Sequence, residues 1–237
     1  MRRAALGLAL MAMLAGCAGG TGAPPPLFPQ IFAAGKKVIA GKRARKAQEA
    51  GPPVTRALLE QLGGTYLEVT LERPGITGYL KRAETRRDAN PGTVTHWRTE
   101  DNITLSFRNG VLIATRGMGG DIMSAEVPVA EGVTGPASGG ERALYVRTGD
   151  LQVMRLALAC ELSDAGPETV AVLDRSFATR HLQEYCTTAG VAIGGQAVGA
   201  GEVRNDYWVD SRAGIVRRSR QWGGPEIGYM VIRQLNE

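Results

Sequence analysis

The chain has 237 residues, of which 43% are hydrophobic and 5% aromatic, and it contains 32 glycines. This length suits one domain of about 180 to 200 residues plus a leader, and many glycines with few aromatic residues favour an all-β protein rich in turns. The formal net charge of +5 is too small to indicate nucleic-acid binding, so no nucleic-acid partner is expected.

The first 16 residues have the features of an export signal. Arg2 and Arg3 form a positively charged start, residues 4–13 are apolar but too short to span a bilayer permanently, and Leu14-Ala15-Gly16-Cys17 ends in a cysteine. The segment resembles a bacterial lipoprotein signal peptide. That resemblance implies cleavage before Cys17 and acylation of this residue, which anchors the protein in a membrane through several acyl chains. An ordinary secretory signal with an accidental cysteine is the alternative.

The residue after the cysteine bears on the destination. Ala18 stands where aspartate marks retention in the inner membrane under the enterobacterial sorting rule. By that analogy we expect an outer-membrane protein whose domain faces the periplasm. Loss of Arg2 and Arg3 leaves 28 − 2 = 26 basic against 23 acidic residues, which is a mature charge of +3.

Residues 17–51 are predicted to connect the anchor to the domain. Glycines at 19, 20 and 22 and the prolines at 24–26 suit a tether that is first flexible and then stiff. Residues 28–47 have helical apolar spacing and are basic. This basic segment either contacts anionic lipid headgroups or an acidic polysaccharide, or is the solvated face of a helix.

Residues 52–237 are predicted to form a single, mainly β domain after one or two short N-terminal helices. Thr55 starts a short helix that ends at Gly63-Gly64. About a dozen strands with short connections follow, and we predict an antiparallel meander curled into a barrel or half-barrel, which limits exposed edges. The predicted strands comprise residues 66–71, 76–82, 93–98, 103–107, 111–115, 142–147, 152–161, 169–177, 180–188, 202–209, 215–221 and 228–234.

Two of the connections have the sequence of tight turns. Ile103, Leu105 and Phe107 alternate with polar residues and precede Asn109-Gly110, which tolerates positive φ at both positions. Gly149-Asp150 is a second candidate for a two-residue turn. Each turn predicts an antiparallel hairpin.

The central hairpin carries a resemblance to a known family. Its features are Trp97, Asp101, Asn109-Gly110, Thr115-Arg116-Gly117-Met118-Gly119 and Asp121, and a second group comprises Asn205-Asp206-Tyr207-Trp208-Val209-Asp210, Gly214, Val216, Ser219 and Gln221. Over residues 52–235 the sequence resembles the YjbF/GfcB family of bacterial lipoproteins. The resemblance implies a β-rich lipoprotein associated with group-four capsule and exopolysaccharide export.

Cys160 and Cys186 are the cysteines that remain in the domain. Export to an oxidising compartment and their positions near the ends of two predicted strands indicate a disulfide across adjacent antiparallel strands, with Cα atoms about 4.4 to 6.8 Å apart. Two buried free thiols are the alternative. A catalytic thiol would need His181 as its base, and this reading has little support.

No catalytic residue and no metal or cofactor site is predicted. His96 and His181 lack the spacing of a zinc site, and the glycines at 117–120 and 190–201 lack the residues that complete a phosphate-binding loop. Neither Ser124 nor Ser163 has a nucleophile elbow. The pair Glu100-Asp101 sits at a predicted turn, which gives no support to a glycosidase.

Aromatic residues are concentrated in the two family-like segments. Trp97, Tyr207 and Trp208 are candidates for contact with a saccharide or a partner protein. The alternative is burial in the core, although alternation along a strand excludes Tyr207 and Trp208 from the same side of the sheet.

These features predict a non-enzymatic lipoprotein that assists the export or assembly of capsular or extracellular polysaccharide. Its expected partners are the membrane, through the lipid anchor, and polysaccharide or other proteins of the export machinery. An envelope enzyme acting on glycans is one alternative, and an assembly adaptor that binds a protein through a sheet edge is another.

Overall fold

The structure is a computed structural model and describes residues 54–147, 152–188, 191–193, 196–198 and 201–237. Cys17, the predicted tether, the basic segment and the predicted Gly149-Asp150 turn lie outside the described residues. The description therefore covers nearly all of the predicted β domain.

The predicted short helix is confirmed as α1 (Arg56–Leu62). The Thr55 side chain accepts a hydrogen bond from the Leu58 amide at 3.2 Å, which satisfies one of the free amides of the first turn. Gly63 ends the helix with φ +64°. The described part of the chain contains no helix with the length and apolar character needed to cross a membrane.

Fourteen strands follow α1 in the described residues. They are β1 (Tyr66–Leu71), β2 (Ile76–Arg87), β3 (Thr93–Arg98), β4 (Thr104–Arg108), β5 (Val111–Arg116), β6 (Ile122–Glu126), β7 (Gly140–Arg147), β8 (Val153–Val172), β9 (Arg175–Thr188), β10 (Val191–Ile193), β11 (Gln196–Val198), β12 (Gly201–Asp210), β13 (Ile215–Trp222) and β14 (Tyr229–Gln234).

Twelve of these strands form one antiparallel sheet with the order β5-β4-β3-β2-β1-β14-β13-β12-β9-β8-β7-β6. Strands β10 and β11 form a separate hairpin between β9 and β12. The first and last strands pair, with Leu67 opposite Gln234, and the edge strands β5 and β6 lie side by side. The sheet is thus a nearly closed barrel, which confirms the predicted fold class.

The central hairpin is also confirmed. Strands β4 and β5 are joined by Asn109 and Gly110, which have φ +49° and +87°, as a turn of type I′ requires. A Cβ atom on Gly110 would lie 2.4 Å from Val216 Cγ2. Glycine is therefore required here both by the backbone conformation and by the close approach of β13.

The core lies inside the barrel, with a smaller cluster outside it. Alternate residues of most strands point inward and form the main cluster, which includes Val69, Leu80 and Leu105. On the outer surface, Leu59 of α1 packs with Val172 and Leu235. Helix α1 therefore covers part of the barrel wall where the long β8–β9 hairpin ends.

The prediction of a separate strand at residues 169–177 was wrong. Strand β8 continues to Val172, and Leu173-Asp174 forms the turn into β9, with Leu173 at φ +55°. Gly166 and Pro167 do not end the strand because a bulge between Asp164 and Gly166 absorbs the irregularity. The short strands β6, β10 and β11 were also not predicted, since three to five residues carry little periodicity.

Candidate functional site

A cavity of about 420 Å³ opens at one end of the barrel, hereafter the cavity end. This end carries the turns between β2 and β3, β4 and β5, and β12 and β13, together with the last residue of β14. The cavity lies where the interior is not filled by the core. Mouths of β-barrels are common sites for ligands.

The wall of the cavity combines apolar, aromatic and hydroxyl groups. Trp97 and Phe107 lie on one side, and the hydroxyl-bearing Thr93 and Thr95 precede Trp97 on β3. Further wall residues are Leu67, Val216, Ser219, Ile232 and Gln234. An aromatic side chain surrounded by hydroxyl and amide groups is suited to a saccharide, which has both apolar C–H faces and hydroxyl groups.

Asn109 fixes the rim of the cavity. Its Oδ1 accepts a hydrogen bond from the Thr93 amide at 2.7 Å, and its Nδ2 donates to the carbonyl oxygens of Ala130 and Val133 at 2.9 and 2.7 Å. The loop at residues 127–139 is thereby held against the β4–β5 turn. The sequence predicts the turn at Asn109-Gly110 but does not indicate this second role of Asn109.

An ion pair crosses the rim. Arg87 Nη1, at the end of β2, lies 2.6 Å from Glu131 Oε1, and the Gly92 amide donates to Glu131 Oε2 at 3.0 Å. The Gly92 hydrogen bond and the nearby charge of Arg87 lower the pKa of Glu131. Glu131 is therefore ionised at neutral pH. No sequence pattern marked Arg87 or Glu131, because the contact joins two loops distant in sequence.

Trp97, the first of the three aromatic candidates, lies in this cavity. It belongs to the main core cluster and is only 4% exposed. Its position is consistent with both readings of the sequence, core burial and contact with a ligand, since the cavity penetrates the core.

Tyr207 points into the barrel away from the cavity wall and is fully buried. Its hydroxyl donates to Glu184 Oε2 at 3.4 Å, and the same oxygen accepts from Asn205 Nδ2 at 2.8 Å and pairs with Arg142. Burial and the charge of Glu184 raise the pKa of Tyr207. This residue belongs to an internal polar network and offers no surface for a partner.

Trp208 lies on the outer face of the sheet and is nevertheless buried, with 8% of its surface exposed. His181 stacks on its ring with centroids 4.4 Å apart, and the Arg218 guanidinium carbon lies 4.6 Å from the ring on the neighbouring strand. Alternation does place Tyr207 and Trp208 on opposite faces, as expected, but both side chains are buried. Side chains of β9 and β13 cover the outer one.

Both histidine rings have polar partners for their nitrogen atoms. His181 Nδ1 and Nε2 lie 3.0 and 2.8 Å from carboxylate oxygens of Glu168 and Asp206, and His96 Nδ1 lies 2.7 Å from Ser106 Oγ. His181 thus has carboxylate partners and does not serve as a base for Cys186, which is disulfide-bonded.

The predicted disulfide joins Cys160 of β8 to Cys186 of β9 inside the barrel. The two residues are direct partners in the ladder, and their Cα atoms are 3.9 Å apart, closer than the expected range. Among the described residues, Cys160, Cys186 and Glu184 bring three metal-ligand atoms within 4.8 Å. The sulfur atoms are bonded to each other and Arg142 pairs with the carboxylate, so this group does not fit a metal.

The glycine-rich segment of the family-like motif has a structural role. Asp121 accepts hydrogen bonds from Thr115 Oγ1 at 2.9 Å and from the amides of Gly117 and Met118 at 3.0 and 3.1 Å. The Ile122 amide donates to Thr115 Oγ1 at 3.0 Å. These contacts hold β5 against β6 and so secure the seam of the barrel.

A second depression, of about 710 Å³, lies between the β8–β9 hairpin and the β12–β13 turn. Two of its charged residues are already engaged, since Arg180 pairs with Asp164 and Asp210 pairs with Arg217. It contains none of the predicted aromatic candidates, and the barrel-end cavity is the better candidate site.

The nearly closed antiparallel barrel, with a polar and aromatic cavity at one end and an internal disulfide, places the protein among the small all-β barrel proteins. The family described as "Group 4 capsule polysaccharide lipoprotein gfcB, YjbF" matches residues 50–235. The match covers most of the sequence, and the chain belongs to this family.

A solved structure has a similar fold. The hypothetical lipoprotein YmcC from Escherichia coli (K12) aligns with a TM-score of 0.62 and 20% sequence identity over 78% of this chain and 89% of the YmcC chain. At this identity the likeness concerns the fold alone. No curated protein matches the sequence.

Proposed function

We propose that this protein is a lipid-anchored lipoprotein on the periplasmic face of the outer membrane, and that it assists export or assembly of a capsular or extracellular polysaccharide by binding it without cleaving it. The family to which the chain belongs is associated with group 4 capsule polysaccharide. The lipoprotein-like leader at residues 1–16 and Cys17 supports the anchor and the location.

The observation that carries the proposal is the cavity at the barrel end. Its volume of about 420 Å³ and its wall of Trp97, two threonines and Gln234 provide an aromatic surface and polar groups in one concave site. The Thr93 and Thr95 side chains make no hydrogen bond within the described residues, so their hydroxyl groups are free to bind a ligand.

The same cavity argues for binding over hydrolysis. Glycosidases need two carboxyl groups about 5 to 9.5 Å apart, one of them protonated. Glu131 is the only carboxylate among the described residues that line the cavity, and its lowered pKa keeps it ionised. A single ionised carboxylate on the rim does not supply the general acid that the reaction requires.

The test compares two tryptophan variants of the full chain. Replacing Trp97 by alanine would cost about 3 to 5 kcal/mol of folding free energy, so the conservative Trp97→Phe is the better choice. We expect Trp97→Phe to weaken binding of fragments of the host's own polysaccharide about tenfold, as loss of one hydrogen-bonding or stacking contact does. Trp208→Phe is the matched control, because this ring lies on the opposite face of the sheet.

Binding is measured by calorimetry, and the chain length of the polysaccharide is measured after incubation. Equal effects of the two variants would contradict the cavity as the binding site. Shortening of the polysaccharide that is lost in Glu131→Gln would replace the binding function by an enzymatic one. If the protein neither binds nor shortens the polysaccharide, the protein-adaptor alternative is favoured.

A further inference from the structure

Five cationic side chains on one side of the barrel have no carboxylate partner among the described residues. They are Lys81, Arg82 and Arg86 of β2, Arg98 of β3 and Arg116 of β5, and all are exposed. These five residues form the basic side of the barrel. It lies on the part of the wall formed by β2 to β5, which are neighbours in the sheet.

Elsewhere on the barrel, several cations are paired with carboxylates. Arg220 pairs with Glu72 at 2.7 Å, Arg233 pairs with Glu68 at 2.5 Å, and Arg180 pairs with Asp164. Within β2 to β5, by contrast, Glu84 is the only acidic residue. Lys81 Nζ lies 5.7 Å from the centre of the Tyr66 ring, and Arg86 donates to His96 Nε2 at 3.2 Å.

The register of the sheet brings these charges together. Lys81 is the direct cross-strand partner of Arg98, and Thr104 of β4 is opposite both Arg98 and Arg116. The backbones of Arg98 and Arg116 are therefore about 10 Å apart, or two strand spacings. Like charges in directly opposite positions destabilise a sheet, and Lys81, Arg98 and Arg116 form no ion pair within the described residues. The arrangement fits an external anion.

The basic side is continuous with the cavity. Every residue from Lys81 to Arg87 of β2 is exposed, which is a distance of about 20 Å along the strand. Arg87, the last of them, lines the cavity, whereas Arg86 beside it faces the outside of the barrel, as do the partners Lys81 and Arg98. A chain that leaves the cavity over the rim at Arg87 and continues along the outer face of β2 would pass over these cations.

We propose that the saccharide bound by this protein is anionic, with carboxylate or phosphate substituents that contact the basic side while a segment of the same chain occupies the cavity. This inference rests on the proposed function and adds the chemical class of the ligand. The continuity of the cations with the cavity favours a saccharide chain over the headgroups of a flat membrane.

The test uses the full-length protein in nonionic detergent. The probe is an oligogalacturonate, which carries one carboxylate per sugar, and a neutral maltooligosaccharide of the same number of sugars is compared with it. We expect Lys81→Gln/Arg98→Gln to weaken oligogalacturonate binding about tenfold at low ionic strength and to reduce its salt dependence. Arg155→Gln/Arg212→Gln is the matched control, since it removes two exposed cations elsewhere on the barrel that form no ion pair within the described residues. We expect a change of about twofold or less.

An equal loss of oligogalacturonate binding in the control pair would mean that the ligand is attracted to the net charge of the protein, which would overturn the inference. Unchanged binding in Lys81→Gln/Arg98→Gln would overturn it as well. Capture of phosphatidylglycerol vesicles without binding of oligogalacturonate would assign the basic side to a membrane and overturn it too. The two proposals fail separately. If Lys81→Gln/Arg98→Gln weakens binding and Trp97→Phe does not, the cavity is not the binding site and the role of the basic side is retained. If only Trp97→Phe weakens binding, the cavity is retained as the binding site and the inference about the basic side is overturned.

Discussion

A bidentate ion pair next to the cavity links individual residues to the shape of the site. Arg108 Nη1 and Nη2 lie 2.9 and 2.6 Å from the two carboxylate oxygens of Asp88, and Arg108 Nη1 also donates to the carbonyl oxygen of Pro91 at 3.3 Å. Arg108 ends β4 immediately before Asn109. The pair therefore fixes the β2–β3 turn against the β4–β5 turn at the cavity end.

This ion pair predicts a specific dependence of stability on pH. The hydrogen bond from Arg108, with that of the Asn90 amide, lowers the pKa of Asp88 from 3.8 to about 2. A lowered folded-state pKa stabilises the fold above the unfolded-state pKa and loses this effect as pH falls toward 2. We expect Asp88→Asn to melt below wild type at pH 6 and to match it near pH 2.

Thermal unfolding of both proteins between these pH values checks the prediction. Glu60→Gln serves as a control, because Glu60 is exposed on α1 and makes no ion pair within the described residues. A constant difference between Asp88→Asn and wild type over the whole range would show that the ionised carboxylate is not responsible.

Single residues also show how far sequence reasoning reaches. Alternation assigned Tyr207 and Trp208 to opposite faces of the sheet correctly. It did not reveal that His181 and Arg218 cover Trp208, because these residues come from other strands and their proximity depends on register. The roles of Asn109 and Glu131 at the rim could not be predicted for the same reason, because they too depend on contacts between distant parts of the sequence.

At the scale of elements, the β8–β9 hairpin is the longest in the sheet and contains the disulfide. The two strands pair from Ala159 to Val172, and the end of the hairpin packs with α1. From the sequence, both cysteines were predicted to lie near strand ends, and their pairing was predicted from the expected oxidising compartment. The length of β8 could not be predicted, because Gly166-Pro167 is atypical of a strand interior.

Reduction of this disulfide is predicted to destabilise the domain. The bond closes a segment of 26 residues, which in the loop-entropy treatment stabilises the fold by about 3.5 kcal/mol. Urea unfolding with and without reductant measures the difference. Cys160→Ala/Cys186→Ala is the control and should not respond to reductant; an identical wild-type midpoint in both conditions would contradict the prediction.

At the scale of the whole molecule, the leader and the barrel have separate tasks. The barrel contains the proposed binding site, and the leader is predicted to determine where that site is held. We expect Cys17→Ser to move an intact barrel from the membrane fraction to the soluble periplasmic fraction and to reduce exported polysaccharide, since acyl chains on Cys17 are the proposed attachment.

Cell fractionation and measurement of secreted polysaccharide test this prediction. Ala18→Asp is the matched control, because it retains the acylated cysteine and should redirect the protein to the inner membrane. A Cys17→Ser variant that stays in the membrane fraction would indicate attachment by another route.

The overall architecture was accessible from sequence because short connections favour neighbouring strands and a long meander must protect its edges. The cavity was not accessible. It arises where residues from β1, β3, β13 and β14 meet at one end of the barrel, and this meeting depends on the stagger of the strands around the whole circumference.

The pairing of β1 with β14 affects how the protein reaches its folded state. Leu67 and Gln234 are partners across 234 − 67 = 167 residues, and the Asn236 side chain bonds to the Tyr66 amide and the Gly64 carbonyl. Contacts between distant parts of a chain form slowly, and the barrel cannot close before its last strand, β14, is available. A chain of this topology that is exported unfolded would therefore cross the membrane with the β14-facing edge of β1 still unpaired, although β2 can already pair with the other edge. Such a chain would complete its barrel only on the far side.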